Sequence, residues 1–392
     1  MLPRDTLSAM ARTHISLALF AATLSAAAQQ PTIPIKSHEV NADSTITFRY
    51  VASNAQKVSV NSDAFLTPQP MIKGTDGIWT LTTQPLPPQY YSYSFTEDGV
   101  TRLDPFNPIT VQNSDTLPAV YYLGSKVLIP GHPPMPWEMT AVPHGEVIHH
   151  LFTTHIVKDL ADADQSGYTV YTPPNYDPKK KGGYPVLYLL HGWSDVETGW
   201  TNDGKANLIL DNLIAAGKAV PMIVVMPLGY GIEDFARHPI SIWANRQLVE
   251  QNLALFTQSF ETEVMPAVEH EYNIAKGPEH HAIAGLSMGG LEALTVGLTH
   301  TDQFSYVAGM SSAILTDYEK DIPNIDSKKA DLKLLWVACG TEDGLIKPNR
   351  AFVTWAKGKG LPVTPVETPG RHTFVVWRND LVTLAPLLFQ TK

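Results

Sequence analysis

The chain has 392 residues, of which 44% are hydrophobic and 17% are charged. This length predicts one large or two medium-sized domains, with enough apolar side chains for a sizeable core. The formal net charge of −10 argues against a nucleic acid as the partner. The single cysteine, Cys339, cannot form an intramolecular disulfide and is predicted to be a buried apolar residue.

Residues 1–28 have the features of a signal peptide. A basic start precedes an apolar stretch from Ile15 to Ala28, which ends in small residues that fit a cleavage site before Gln29. This stretch is too short to span a bilayer, which argues against a membrane anchor. We therefore expect an exported protein, secreted or periplasmic, that has no membrane association after cleavage.

Residues 29–110 are predicted to form a small all-β domain. Short runs of alternating apolar and polar residues are separated by turn residues, at 45–51, 57–60, 78–82 and 90–95. This spacing favours an immunoglobulin-like β-sandwich. Residues 111–145 are rich in proline and are predicted to be an extended linker; the prolines noted are Pro130, Pro133, Pro134, Pro136 and Pro143.

Residues 146–392 are predicted to form an α/β domain. Strand-like apolar runs alternate with helical ones; the strands are 184–190, 222–226, 282–286 and 332–337, and the helices are 206–216, 248–264, 291–296 and 349–356. Such alternation predicts a mostly parallel sheet with helices on both faces. The sequence contains no phosphate-binding loop, dinucleotide fingerprint or zinc-binding pattern, so we expect no cofactor and no metal.

A G-x-S-x-G pentapeptide lies at Gly285–Gly289, between an apolar strand and a helical run. In this context the pattern predicts a nucleophile elbow, a sharp turn that lifts the hydroxyl of Ser287 above the sheet. The start of the following helix favours developing negative charge. Ser287 is therefore the predicted nucleophile.

A serine nucleophile needs a base, and the base needs a carboxylate that orients it. In α/β-hydrolases the acid and then the histidine follow the serine along the chain. The acid is predicted at Asp343, with Glu342 in reserve, in the loop after an apolar strand. His372 is the only histidine after Asp343, and it is the predicted base.

Two backbone N–H groups are needed to stabilise the oxyanion. The first is predicted to be that of Met288, which follows the nucleophile. The second is assigned to Trp193, with Gly192 as the close alternative, in the turn after the strand at 184–190. Within the same turn, His191 is expected to shape the substrate site.

Five motifs, in this order, resemble carbohydrate esterase family one of the esterase D-like α/β-hydrolases: LYLLHGWSDVETGW, GKANLILDNLIAAGK, AIAGLSMGG, CGTEDG and GRHTFVVWR. The resemblance covers residues 145–390 and implies Ser287, Asp343 and His372 as the triad. Residues 36–110 are similar to an early-set β-sandwich related to family-48 carbohydrate-binding modules. Trp79, Tyr90, Tyr91 and Tyr93 are candidates for a sugar platform, although aromatic residues in strands more often pack in a core.

The resemblance implies a serine esterase that removes feruloyl groups from plant cell-wall polysaccharide. Acetylxylan esterase, another acyl-ester hydrolase and an acyltransferase are alternatives on the same scaffold, and an inactive carbohydrate-binding protein is the alternative that is not an enzyme. The expected partner is feruloylated or acetylated poly- or oligosaccharide. Trp193, Trp200 and Trp243 are predicted to line the pocket for an aromatic acyl group.

Overall fold

The computed structural model describes residues 35–107, 124–237, 240–322, 325 and 331–390. The signal peptide predicted for residues 1–28 lies outside this part of the chain. From Lys36 onwards the chain forms one compact unit. Among the residues described, no helix is both long enough and apolar enough to cross a membrane.

The N-terminal region is a β-sandwich of two antiparallel sheets. Its strands are β1 (His38–Val40), β2 (Ile46–Val51), β3 (Val58–Ser62), β4 (Gln69–Pro70), β5 (Ile72–Lys73), β6 (Ile78–Thr82), β7 (Gln89–Glu97), β8 (Val100–Arg102) and β9 (Ser125–Ile129). One sheet has the order β1-β2-β6-β5 and the other β4-β3-β7-β8, with β9 pairing with β7. The predicted all-β fold of this region is confirmed.

The core of the sandwich is aromatic. Along β7 the side chains alternate between buried and half-buried positions, as expected for a strand with one face inward. Three of the four aromatic residues considered for a sugar platform are buried in this core: Trp79, Tyr91 and Tyr93. The fourth, Tyr90, is half-buried beneath the ammonium of Lys205, 4.8 Å from its ring centre. These four residues therefore do not form an exposed platform.

Strand β9 lies inside the segment predicted to be a linker. It pairs with the first half of β7, from Gln89 opposite Ile129 to Tyr93 opposite Ser125. The prolines that suggested a linker begin at Pro130, directly after this strand. A strand cannot extend through such a run, because proline lacks the N–H that a sheet requires. The proline-rich segment therefore begins at Pro130, later than predicted, and strand β9, which falls within the predicted linker, belongs to the sandwich.

The second region contains a mixed eight-stranded sheet in the part of the chain described. Its strands are β10 (Glu146–Thr153), β11 (Gln165–Thr172), β12 (Val186–Leu190), β13 (Ile223–Pro227), β14 (His281–Leu286), β15 (Tyr306–Met310), β16 (Leu334–Gly340) and β17 (Val363–Thr368). The spatial order is β10-β11-β13-β12-β14-β15-β16-β17. The strands β12 to β17 are parallel to one another. Strand β11 is antiparallel to both of its neighbours, β10 and β13.

Helices cover both faces of this sheet. They are α1 (Gly199–Asn202), α2 (Ala206–Ala215), α3 (Glu233–Arg237), α4 (Arg246–Ser259), α5 (Met265–Glu271), α6 (Met288–Thr299), α7 (Tyr318–Asp321), α8 (Ile346–Gly358) and α9 (Phe374–Leu384). The central strands are buried along their whole length, which explains their continuous apolar sequences. Separate apolar clusters lie on the two faces. The predicted α/β-hydrolase fold is confirmed.

The helical run predicted at residues 248–264 continues past its expected end. A π-helical turn, Phe260–Val264, joins α4 to α5. Pro266, which has no N–H to donate, follows this turn as the second residue of α5. The proline thus lies at a change of helix type within a continuous helical run and does not end it.

Candidate active site

Ser287 stands at the sharp turn between β14 and α6. Its backbone has φ 54° and ψ −111°, a conformation that a residue with a side chain rarely adopts. The turn is held by two backbone bonds, from the Ser287 N–H to the carbonyl of Met310 at 2.9 Å and from the Ala313 N–H to the carbonyl of Ser287 at 2.9 Å. This strained, well-anchored position is the one that a nucleophile elbow requires.

The glycines of the elbow permit backbone contacts that no side chain would allow. A Cβ atom on Gly285 would lie 2.2 Å from the carbonyl oxygen of Gly289. A Cβ atom on Gly289 would lie 2.5 Å from the carbonyl oxygen of His191, which accepts the Gly289 N–H at 3.0 Å. Helix α6 therefore starts directly against the turn after β12.

His372 and Asp343 complete a continuous hydrogen-bonded chain with Ser287. The Ser287 hydroxyl donates to Nε2 of His372 at 2.9 Å. The Nδ1 atom of His372 donates to Oδ2 of Asp343 at 2.9 Å. All three residues lie just after the carboxyl ends of parallel strands, β14, β17 and β16, which explains why residues distant in sequence meet there. The structure thus brings together the three residues predicted to act as a triad.

Asp343 is buried and remains well suited to hold a negative charge. Burial alone would raise the pKa of its carboxyl, but the hydrogen bond and the charge of His372 outweigh it and lower the pKa below the usual value. Further bonds come from the Leu345 N–H, at 2.8 Å to Oδ1, and from the hydroxyl of Ser311. The reserve acid, Glu342, is exposed, and its backbone N–H donates to the carbonyl of Gly370.

Two residues that support the site were not singled out from the sequence. The indole of Trp377 packs edge-on against the His372 ring, with 4.8 Å between ring centres. Its Nε1 atom donates to the hydroxyl of Ser311 at 3.1 Å. Trp377 lies within the GRHTFVVWR motif, but only the start of α9 after His372 turns its side chain back beneath the histidine.

His191 lies beneath the site and is shielded from solvent. Its side chain is buried, and its Nε2 atom accepts the N–H of Gly229 at 2.8 Å. The Nδ1 atom must then carry the proton, which it donates to the carbonyl of Gly192 at 2.8 Å. Burial lowers the pKa of His191 to about 4, so the ring is neutral at pH 7. A buried ring cannot contact the substrate, so His191 is not a substrate-binding residue, and its contacts agree with the predicted shaping role.

The orientation of the Gly192–Trp193 peptide bears on which of these two residues supplies the second N–H group for the oxyanion. A Cβ atom on Gly192 would lie 3.3 Å from the Cβ of Ser287, so this turn borders the nucleophile. The carbonyl of Gly192 points to His191 and to the Asp195 N–H, which donates at 3.1 Å. In a trans peptide the N–H points opposite to the carbonyl. The arrangement therefore favours the Trp193 N–H over that of Gly192 as the partner of Met288.

Trp200 is a core residue. Its side chain is 0% exposed, and its indole Nε1 donates to the carbonyl of Leu190 at 2.9 Å. The ring packs edge-on against Phe374. A fully buried indole cannot line a pocket, so the predicted contact between Trp200 and an acyl group is wrong. The hydrogen bond to Leu190, at the end of β12, is what fixes the indole inside the core.

Trp243 belongs to an apolar cluster that adjoins the elbow. This cluster contains Met288 and is partly covered by the half-buried rings of Trp193 and Trp243. Phe235 links these two indoles: its carbonyl accepts Nε1 of Trp193 at 2.9 Å, and its ring packs edge-on against Trp243. The cluster places aromatic surface beside the residue after Ser287. Trp243 stays a candidate for the acyl-group wall.

The described residues contain no group of three or more histidine, cysteine, aspartate or glutamate side chains arranged to hold a metal ion. Cys339 is a buried free thiol at the end of β16. Burial raises the pKa of this thiol to about 12, so it is not a thiolate nucleophile at neutral pH.

The model of the protein family described as "Putative esterase" matches residues 164–386, more than half of the chain. The chain is also 30% identical over 366 residues to an endo-1,4-beta-xylanase/feruloyl esterase of Xylanibacter ruminicola. That match covers 90% of this chain but 46% of the relative, so the chain spans less than half of the relative's length.

Two solved structures share the fold. An enterobactin esterase from Shigella flexneri gives a TM-score of 0.63 at 17% identity, with 88% of this chain and 92% of that chain covered. A CE1 ferulic acid esterase from Anaeromyces mucronatus gives a TM-score of 0.55 at 20% identity, with 64% and 93% covered. The family match spans the elbow and the loops that carry Asp343 and His372. The chain therefore belongs to this esterase family, and the predicted resemblance to esterases is confirmed at the level of the family and of the fold.

Proposed function

We propose that this protein is a serine esterase that removes feruloyl groups from plant cell-wall polysaccharide. The observation that carries the proposal is the hydrogen-bonded chain from Ser287 through His372 to Asp343. The name of the Xylanibacter ruminicola relative, which combines xylanase and feruloyl esterase, supports the substrate class. The aromatic cluster beside Met288 offers a surface for a hydroxycinnamoyl ring.

In the proposed mechanism, the oxygen of Ser287 attacks the ester carbonyl while Nε2 of His372 takes the hydroxyl proton. Asp343 stabilises the resulting imidazolium through Nδ1 and does not itself take the proton. The N–H groups of Met288 and Trp193 stabilise the oxyanion of the tetrahedral intermediate. His372 then returns the proton to the departing sugar oxygen, which leaves an acyl-enzyme on Ser287.

Water completes the cycle. His372 takes a proton from the water as the water oxygen attacks the acyl carbonyl, and a second tetrahedral intermediate forms. When this intermediate collapses, His372 returns the proton to Ser287 and the carboxylic acid is released. Transfer to a sugar hydroxyl in place of water would use the same groups, so an acyltransferase would have the same site.

The test compares the wild type with Ser287→Ala on methyl ferulate and on acetylated xylan. Ser53→Ala, a change at an exposed serine in a sandwich turn, is the matched control. We expect ferulate release by the wild type and by the control, and none by Ser287→Ala. Release of acetate alone would support an acetylxylan esterase. If the wild type cleaved p-nitrophenyl acetate but neither methyl ferulate nor acetylated xylan, the polysaccharide assignment would be wrong and only the esterase would stand.

We further propose that the protein is exported. The proposal rests on residues 1–28, whose basic start, apolar stretch and small residues fit a signal peptide. The test is expression in a bacterial host with an export pathway, with mass spectrometry of the mature protein. A mature chain that begins at or near Gln29 in the periplasm or medium is expected, and an uncleaved cytoplasmic chain would contradict it.

A further inference from the structure

The loop that carries His372 is tied to the β-sandwich through its neighbour, Arg371. The Nη2 atom of Arg371 donates to the backbone carbonyl of Asp63 at 3.2 Å and, in a shorter bond, to that of Phe65. Arg371 directly precedes His372 in the chain. A guanidinium held by two fixed carbonyls therefore restrains the backbone one residue away from the histidine.

The two accepting carbonyls belong to a turn that is itself firmly held. Directly after β3, Oδ1 of Asp63 accepts the N–H of Ser92 at 2.9 Å. The hydroxyl of Ser62 donates to the carbonyl of Ser92 at 2.7 Å and accepts the N–H of Ala64 at 3.2 Å. Because these bonds fix the turn to β7, Arg371 binds a rigid part of the sandwich.

The far end of the same segment is also attached to the sandwich. Val375 packs against the sandwich core, and its carbonyl lies 3.4 Å from Nε2 of Gln89, which donates to it. One turn further along α9, Nε of Arg378 donates to Oε1 of Gln89 at 2.8 Å. His372 therefore lies within a segment, residues 371–378, that the sandwich holds on both sides.

On its own domain the His372 loop begins at a glycine. Gly370 has φ +127°, in the region that favours glycine, and its carbonyl accepts the Glu342 N–H at 3.0 Å. Within the hydrolase domain His372 is held by its bond to Asp343 and by the ring of Trp377. Arg371, the residue just before the histidine, adds a restraint from the sandwich. We propose that Arg371 is a positioning residue, through which the β-sandwich sets the place of His372 relative to Ser287.

The sandwich would then be a structural part of the active site, whether or not it binds a glycan. A displacement of about 1 Å between reacting groups costs about 10²-fold in rate. Loss of the Arg371 anchor should therefore lower kcat by about 10- to 100-fold and leave KM for a small ester nearly unchanged. The charge of Arg371 offers a competing explanation, in which it acts on the protonation of His372.

The experiment uses the full chain and measures the pH profile of p-nitrophenyl acetate hydrolysis for Arg371→Met, Arg371→Lys and the wild type. Arg350→Met is the matched control, because the side chain of this exposed arginine pairs with exposed Glu367 on β17 of the hydrolase domain. We expect Arg371→Met to lower the maximum kcat of the pH profile and to leave the pH of half-maximal kcat unchanged. Arg371→Lys should recover part of the lost kcat, and the control should match the wild type.

An unchanged maximum kcat with a shifted pH of half-maximal kcat would show a charge effect and overturn the proposal, as would full activity of Arg371→Met. If Arg371→Met failed to fold, Ser62→Ala would replace it, because this change loosens the sandwich turn without altering the hydrolase domain. A lowered maximum kcat is again expected for Ser62→Ala. Wild-type kinetics of this variant would overturn the proposal. The substrate is a small activated ester, so the result does not depend on the glycan. A wild type that fails to cleave it would instead count against the proposed esterase function.

Discussion

Arg378 of α9 and Gln89 of the sandwich meet in a buried contact, with 2.8 Å between Nε and Oε1. The arginine is buried, and its other nitrogens donate to the backbone carbonyls of Asp203, at 2.5 Å, and of Tyr90. Burial lowers the pKa of Arg378 to about 10, so the guanidinium still carries its charge at pH 7. A buried charge of this kind depends on all of its hydrogen bonds.

We therefore expect that the hydrolase region alone, residues 130–392, will not form a stable active enzyme. Without the sandwich, Gln89 and Tyr90 no longer accept hydrogen bonds from Arg378, and apolar surface of α9 that packs on the sandwich, such as Val375, is exposed to water. Water can solvate the guanidinium in place of its lost partners, so the loss of stability comes mainly from the exposed apolar surface. The measurement is thermal unfolding by circular dichroism, together with hydrolysis of p-nitrophenyl acetate. A stable, fully active shortened chain would contradict the expectation.

Substitution should show that Asp343, and not its neighbour Glu342, is the acid that orients His372. In Asp343→Asn the shape is kept, but the amide favours the wrong tautomer of His372 and cannot stabilise its positive form. We expect kcat to fall by about 10⁴-fold, as in serine proteases with the equivalent change. Glu342→Gln, at the adjacent exposed position, should keep kcat within about twofold, because a surface substitution seldom disturbs its surroundings. Equal losses in the two variants would contradict the assignment.

Trp200 and Trp243, both predicted to line the pocket, should behave differently when they are replaced. Trp200→Ala removes a fully buried ring and should lower the free energy of unfolding by about 3–5 kcal/mol. Trp243→Ala alters a half-buried ring and should mainly raise KM for methyl ferulate relative to p-nitrophenyl acetate. Urea unfolding and steady-state kinetics on both esters test this pair. A stable Trp200→Ala protein with altered acyl preference would restore the sequence-based prediction.

Asp380 in α9 should make stability depend on pH. Its side chain is 1% exposed, and burial, together with the smaller effect of the charge of Asp343, raises the pKa of its carboxyl to about 7. In the unfolded chain the pKa returns to about 4. Between these values only the folded protein keeps the proton, so the free energy of unfolding falls as pH rises, by up to about 1.4 kcal/mol per pH unit.

Asp380→Asn removes this titration and keeps the shape of the side chain. Urea unfolding between about pH 5 and about pH 7 should show a shallower loss of stability in the variant than in the wild type. The variant should therefore be the more stable protein near the upper end of that range. Parallel curves for the two proteins would mean that Asp380 does not keep its proton upon folding.

The sequence alone determined the elbow, the order of the triad residues and the α/β class. These features depend on local rules: the glycines around Ser287 permit one sharp turn, and continuous apolar runs such as 222–226 predict buried parallel strands. His372 could be assigned because it is the only histidine after Asp343. Each of these inferences needed only neighbouring residues or chain order.

The tertiary structure alone decided which side chains face the site. His191 directly follows β12 and Trp200 lies in α1, yet both side chains are buried, because packing in three dimensions determines which side chains are exposed. Arg371 contacts carbonyls more than 300 residues earlier in the chain. No pattern in the sequence predicts such a contact, because a hydrogen bond depends on distance in space and not on separation along the chain.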